Sequence, residues 1–301
     1  MKKWLENIGY GLEMVLFYPL SLLPFRVLYL LSDLTFFIIY YCTRYRKKVV
    51  RANLSSSFPE KSKSELRAIE RQFFAFLCDY FFETIKVLSI SDKEMKRRMT
   101  FGGIDEVLKQ LNGRSCVLYM GHYCNWEWVT SLRLHVPQSY HLAQIYHPLK
   151  DKATDRFFLK LRGHFHSESI PMVDTLRRIV SLRNEGTPFM IGFIADQTPS
   201  WANIRYWLPF LNHDTPVFIG TERIAHQTKS PAYYAAMTRP KRGYYHCEFV
   251  LLHDEPQTLP EHQLTDRYFK ALEQSIQEEP AYWLWSHRRW KRQRQQPPTA
   301  S

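Results

Sequence analysis

Between Ser62 and about Leu88 apolar side chains recur at three- and four-residue spacing: Phe73, Phe76, Leu77, Tyr80, Phe81, Ile85. That periodicity predicts an amphipathic helix, with Ser64 available to cap it. A second short helix runs from Gly103 to Leu111 and stops at Asn112-Gly113. The pattern then changes. Ser115–Met120, Pro188–Ala195, Ala232–Met237 and His246–Leu252 are continuous apolar runs, as expected of strands buried on both faces. Residues 126–133 read as helical, and Leu264–Gln277 is a last amphipathic helix that Pro280 ends. Strand runs alternating with helices predict an α/β fold, with a mostly parallel central sheet flanked by helices. Residues 55–60, SSSFPE, read as a turn-rich linker, and no internal repeat is visible.

The most apolar stretch lies near the N-terminus, in residues 12–42. Pro19 and Pro24 break it and Arg26 and Asp33 interrupt it, so no window supplies a clean run of about 20 apolar residues. A cleavable signal peptide fits poorly, because the segment is long, aromatic and without a small-residue cleavage site. Arg44, Arg46, Lys47, Lys48 and Arg51 follow directly, a flank suited to anionic headgroups on the cytoplasmic side. Residues 1–50 are therefore expected to form an apolar membrane-anchor helix with its basic flank, spanning or interfacial. Residues 51–301 would form the catalytic domain, its polar tail frayed from Arg292 onward. The alternative is an apolar helical hairpin packed on a soluble domain.

Composition narrows the class. With 301 residues, 45% of them hydrophobic, the chain is neither disordered nor a disulfide-stapled mini-protein. Five cysteines without a C-x-x-C pair suit reduced, buried thiols, and no Cys or His spacing matches a zinc site. A formal charge of +12 calls for an anionic partner.

The sharpest local feature is GHYCNWE, residues 121–127. Positions five apart on a continuous helix lie about 140° from one another, so His122 and Glu127 could not meet there. With His122 at a strand end and Glu127 in the first turn of the next helix, the carboxylate can fold back onto the imidazole. That is a base with its orienter: Glu127 accepts one ring N–H, and the other nitrogen takes a proton from a hydroxyl. Taken alone the spacing is common, and a histidine closing a turn would produce it too. Cys124, beside the pair, reads as packing.

The glycine before His122, the NWE triplet and the preceding apolar run resemble the H-x-x-x-x-[DE] site of glycerolipid-type acyltransferases. Four ordered segments narrow the resemblance to the late (secondary) acyltransferase family of lipid A biosynthesis. Arg51-Ala52-Asn53-Leu54 with Phe58-Pro59-Glu60 is similar to its RxNL…FPE segment, and Tyr146-His147-Pro148-Leu149 to its Y-[RK]-P-L element. Ala195-Asp196-Gln197 resembles its DQ strand end, and residues 283–290, WLWSHRRW, its C-terminal signature. His147 stands where that element usually has a basic residue.

The resemblance implies transfer of a fatty acyl chain from an acyl carrier protein thioester onto the 3-hydroxyl of a primary acyl chain on a lipid A precursor. His122 would be the general base and Glu127 its orienting partner. Arg162 would meet the thioester oxyanion, with Arg156 the other arginine available. Asn125, Tyr146, Asp196, Gln197, Arg288 and Arg289 would contact or support substrate, Asn125 alternatively pinning the turn through backbone. No metal and no cofactor beyond the acyl carrier co-substrate is implied, and the enzyme would sit on the cytoplasmic face of the inner membrane.

Arginines beside Trp283, Trp285 and Trp290 would also suit single-stranded nucleic acid, but no nucleic-acid module accompanies them. Two rivals stand beside the lipid A reading. One is an acyltransferase acting on a lysophospholipid or another aminolipid. The other is a non-catalytic basic membrane-binding protein in which His122 and Glu127 are structural.

Overall fold

A computed structural model describes residues 2–294, and the residues expected to fray beyond 294 lie outside them. The chain opens with two helices, α1 (Lys2–Leu22) and α2 (Phe25–Phe37), broken where Pro24 denies a backbone donor. Pro19 lies inside α1. The second helix continues as a π-helical turn, Ile38–Thr43. Helix α3 (Lys47–Ser57) absorbs the serines expected in a linker, so the turn begins only at Phe58. Helix α4 (Lys63–Lys86) matches the expected span, but Ser62 rather than Ser64 caps it, in a capping box with Glu65. Helices α5 (Asp92–Arg98) and α6 (Ile104–Leu111) bracket strand β1 (Met99–Gly102).

The other strands are β2 (Cys116–Met120), β3 (His141–Tyr146), β4 (Glu168–Pro171), β5 (Phe189–Ile194), β6 (Tyr206–Phe210), β7 (His213–Val217), β8 (Ala232–Lys241) and β9 (Tyr244–His253). Between them lie α7 (Lys152–Arg162), α8 (Thr175–Asn184) and α9 (Gly220–Thr228), and α10 (Gln263–Glu278) follows the last. Seven strands form one sheet in the order β1-β9-β8-β2-β5-β3-β4. Neighbours from β8 to β4 are parallel, while β9 runs antiparallel to β8 and β1 parallel to β9. The sheet is mostly parallel, as its continuous apolar runs predict, and β6–β7 form a separate hairpin. The segment 126–133 is a 3₁₀ stretch, Trp126–Leu134. Cys78, Cys116, Cys124 and Cys247 are buried, but Cys42 is exposed, contrary to the expectation for all five.

Helix α2 keeps polar contacts with α4 and with the β8–β9 turn of the sheet. The outer faces of α1 and α2 carry apolar stripes, with Val15 75% and Leu30 69% exposed. Phe25–Thr43 is long and apolar enough to cross a bilayer, and its apolar stretch is only 22% buried. On the inner face Ser32 donates to Asp79 at 2.7 Å, and Tyr29 donates to Glu83 at 3.0 Å. Arg239, near the end of β8, and Arg242, in the β8–β9 turn, clamp the same Asp79 at 2.6 Å each, and Arg242 reaches Asp33 as well.

Gly243 sets how close this approach can be. It lies at φ +74° in the turn, and a β-carbon there would fall 1.8 Å from the Tyr29 hydroxyl. Gly243→Ala is expected to destabilise the fold by about 2 kcal/mol, lowering the thermal midpoint by roughly 3 °C. An unchanged midpoint in detergent would show that α2 does not depend on this turn.

Candidate active site

Parallel register explains how the site assembles. Met120 pairs with Ile194 at the carboxyl ends of β2 and β5, and the ladder extends one bond further, from Ala195 N to Met120 O at 3.2 Å. Two residues past each of these partners stand His122 and Asp196. Two chain-distant residues thus become neighbours at the sheet edge where ligands of open α/β folds collect. A β-carbon on Gly121 would meet Leu272 at 2.8 Å, so the strand exit is tightly packed.

Asp196 is buried, and each of its bonds is accounted for. Its Oδ1 lies 2.6 Å from His122 Nδ1. Its Oδ2 accepts from the His122 amide at 2.8 Å and from Trp283 Nε1 at 2.9 Å. Burial raises the Asp196 carboxyl, but the His122 charge and these hydrogen bonds outweigh it and hold the group below its ordinary value. A carboxylate at Nδ1 places the ring proton there and leaves the Nε2 lone pair free. Gln197 points its amide nitrogen at that Nε2, 3.1 Å away. Trp126 packs its indole edge-on against the imidazole, ring centroids 4.9 Å apart, and leans on Tyr80 at 4.3 Å.

The expected pairing of His122 with Glu127 is not what forms. Glu127, 4% exposed, is held by Arg162 in a two-pronged bond, 2.9 Å from Nε and 2.6 Å from Nη2. The 3₁₀ stretch begins at Trp126, and Glu127 makes no hydrogen bond to His122 among the described residues. Arg162 Nη1 has no protein partner among them either. Tyr146 sits at the end of β3 near that guanidinium: burial and Asp155 raise its phenol, and Arg162 opposes them.

Asn125 does not face the site. Its amide donates to Glu83 at 2.9 Å, inside the buried network that also holds Tyr29 and Tyr245. It pins the turn through a carboxylate rather than through backbone. Burial pushes the Glu83 carboxyl up, and Arg239 works against that shift.

The C-terminal signature and the RANL segment turn out to be one assembly. Asn53 donates to the carbonyls of Trp285 and His287 at 2.8 and 2.9 Å, and Arg51 grips the buried Glu70. Arg289 has no exposed surface and donates to the Pro216 carbonyl, so it buttresses the β6–β7 hairpin where substrate contact was expected. Burial pulls its guanidinium down to about 10. Arg288 is exposed. His287 approaches Thr198 at 3.4 Å, and burial followed by the Arg289 charge lowers its ring to about 4, leaving it neutral at pH 7.

The spacing pairs His122 with Glu127, whereas the structure sets Asp196 at its Nδ1. The signal was present: two continuous apolar runs, each closing two residues before a titratable side chain. Such an arrangement can hold a hydroxyl at Nε2 and remove its proton. The model of a family described as bacterial lipid A biosynthesis acyltransferase matches residues 2–292, nearly the whole chain. No curated protein matches it.

Proposed function

Because the chain belongs to the bacterial lipid A biosynthesis acyltransferase family, we propose that it moves a fatty acyl chain from an acyl carrier protein thioester to the 3-hydroxyl of a primary acyl chain on a lipid A precursor. The observation that carries this reading is the His122–Asp196 pair at the sheet edge, with Nε2 left free to accept a proton. A secondary alcohol is a poor nucleophile at its own pKa, and an imidazole can take its proton during attack.

In the proposed step the hydroxyl displaces the Gln197 amide from Nε2 and attacks the thioester carbonyl carbon. Its proton passes to Nε2, and Asp196 steadies the resulting imidazolium. The C–O bond forms as the carbonyl becomes an oxyanion, and the C–S bond breaks as the oxyanion collapses. The departing thiolate then takes the proton from Nε2, leaving ester and free carrier thiol. Arg162 is the cation proposed for the oxyanion, with Glu127 holding its guanidinium plane in place, an arrangement that places charge where it develops. No covalent acyl-enzyme is required.

The exposed apolar stripes of α1 and α2 support an anchor in the inner membrane, with the sheet edge on the cytoplasmic side. The test uses detergent-solubilised protein, radiolabelled acyl carrier thioester and a Kdo-bearing tetra-acyl precursor. A mass gain of one acyl chain on the precursor is expected. Acylation of a lysophospholipid with none of the precursor would overturn the acceptor assignment, and transfer to neither would overturn the enzyme assignment.

A further inference from the structure

Where the apolar helix ends, the chain builds a cavity of about 690 Å³, outside the catalytic constellation. Six cations line it: Arg44, Arg46, Lys47, Lys48, Arg51 and Arg288. A single carboxylate, Glu70, answers them, and it is already bonded to Arg51 and Lys47. Arg46 donates to the Ser286 carbonyl. Arg44, Lys48 and Arg288 make no ion pair or side-chain hydrogen bond among the described residues, although all three are exposed. Like charges converge on a cavity without internal compensation only at a cost, which an anion relieves.

The backbone adds to the same field. Arg46 stands at the N-cap of the 11-residue α3 without a side-chain cap; the Lys47 and Val49 amides bond the Arg44 and Arg46 carbonyls, and the helix turns its positive end to the same region. Arg44 and Arg46 both hold left-handed conformations, φ 54° and 49°, which no glycine or asparagine is present to ease. Tyr40 and Tyr41, the last rings of the apolar helix, complete the wall.

We infer that this cavity is a phosphate site for a membrane lipid, with the lipid's chains alongside α2 and its phosphorylated headgroup among the six cations. The volume suits a phosphorylated sugar better than a bare ion. The cavity also joins the active site mechanically: Arg288 adjoins His287, which meets Thr198, two residues beyond Asp196. The acceptor's own phosphate is the source this connection favours, and that part of the inference rests on the proposed function.

The experiment is native mass spectrometry of the full chain in detergent, titrated with three lipids. These are a bisphosphorylated acylated glucosamine disaccharide, the same lipid after phosphatase treatment, and phosphatidic acid. The wild type is expected to prefer the phosphorylated disaccharide to its dephosphorylated form. Arg44→Gln/Lys48→Gln/Arg288→Gln should weaken phosphorylated lipid roughly fivefold per cation, on the order of a hundredfold in all, and leave the dephosphorylated lipid unchanged. Lys48→Glu alone, on an exposed side chain, repeats the test should the triple variant misfold. Phosphatidic acid held by the wild type and lost from the variants supports the site even if the disaccharide is no substrate. Equal affinity of wild type and variants for both phosphorylated lipids overturns it.

Discussion

Replacing His122 with alanine is expected to lower acyl transfer by about 10²–10⁴-fold, the share a positioned general base contributes. The fold should survive. His122 is a strand-end side chain, and the buried Asp196 would keep two of its partners, the residue-122 amide and the Trp283 indole. Loss of the third leaves Oδ1 unpaired, at a cost of about 1–3 kcal/mol. Activity should therefore fall far more than stability. Transfer measured with radiolabelled thioester, beside a thermal melt and a lipid-binding control, separates the two. Residual transfer within tenfold of wild type would remove His122 from the mechanism.

Asp196→Asn is the second large effect, and it acts through the ring's tautomer. Asparagine can keep its oxygen towards the His122 amide and Trp283, which turns its NH₂ towards Nδ1. The ring proton then moves to Nε2, and the base is lost with little change in shape. A loss of about 10³–10⁴-fold is expected, the scale seen when the orienting carboxylate of a serine-protease triad becomes an amide. Nitrogen-15 shifts of His122 should report Nδ1–H in the wild type and Nε2–H in the variant.

Glu127→Gln provides the contrast. It should loosen Arg162 and lower kcat by roughly tenfold to a hundredfold while leaving the wild-type tautomer in place. Should Glu127→Gln change the tautomer and Asp196→Asn not, the spacing-based pairing would be the correct one. Acid adds a further readout. The Asp196 carboxyl is held below its ordinary value, so its stabilisation is present above the unfolded-state value near 4 and lost as pH falls through the depressed folded value. The Asp196→Asn variant should lack that acid sensitivity.

Much of the frame was legible because its cause is local. Apolar runs such as 188–195 can satisfy backbone and side chains only in a sheet covered on both faces, and α4 carries its own cap and periodicity. His122 was legible as a strand-end residue for the same reason. Its partner was not, because the choice between Glu127 and Asp196 depends on which strand lies beside β2, a fact of register that spacing does not carry. The roles of Asn53 and Arg289 were hidden likewise. Each bonds backbone carbonyls of a distant segment, and a carbonyl leaves no mark in a sequence. The 3₁₀ form of Trp126–Leu134 escaped notice because its apolar spacing resembles that of an α-helix.

The clamp between Asp33 and Arg242 spans 209 residues of chain. Helix α2 therefore leaves the ribosome long before the turn that fastens it. At about 5–20 residues per second, the wait lasts roughly 10–40 s. For that interval Asp33 has no Arg242, and α2 is held by α4, through Ser32–Asp79 and Tyr29–Glu83. A nascent chain halted before residue 239 should hold α2 on α4 with Asp79 and Asp33 still without their arginines, and so open it to proteases more readily than one released after residue 253. The first helices made thus gain their last ion pair only when the final strands of the sheet arrive.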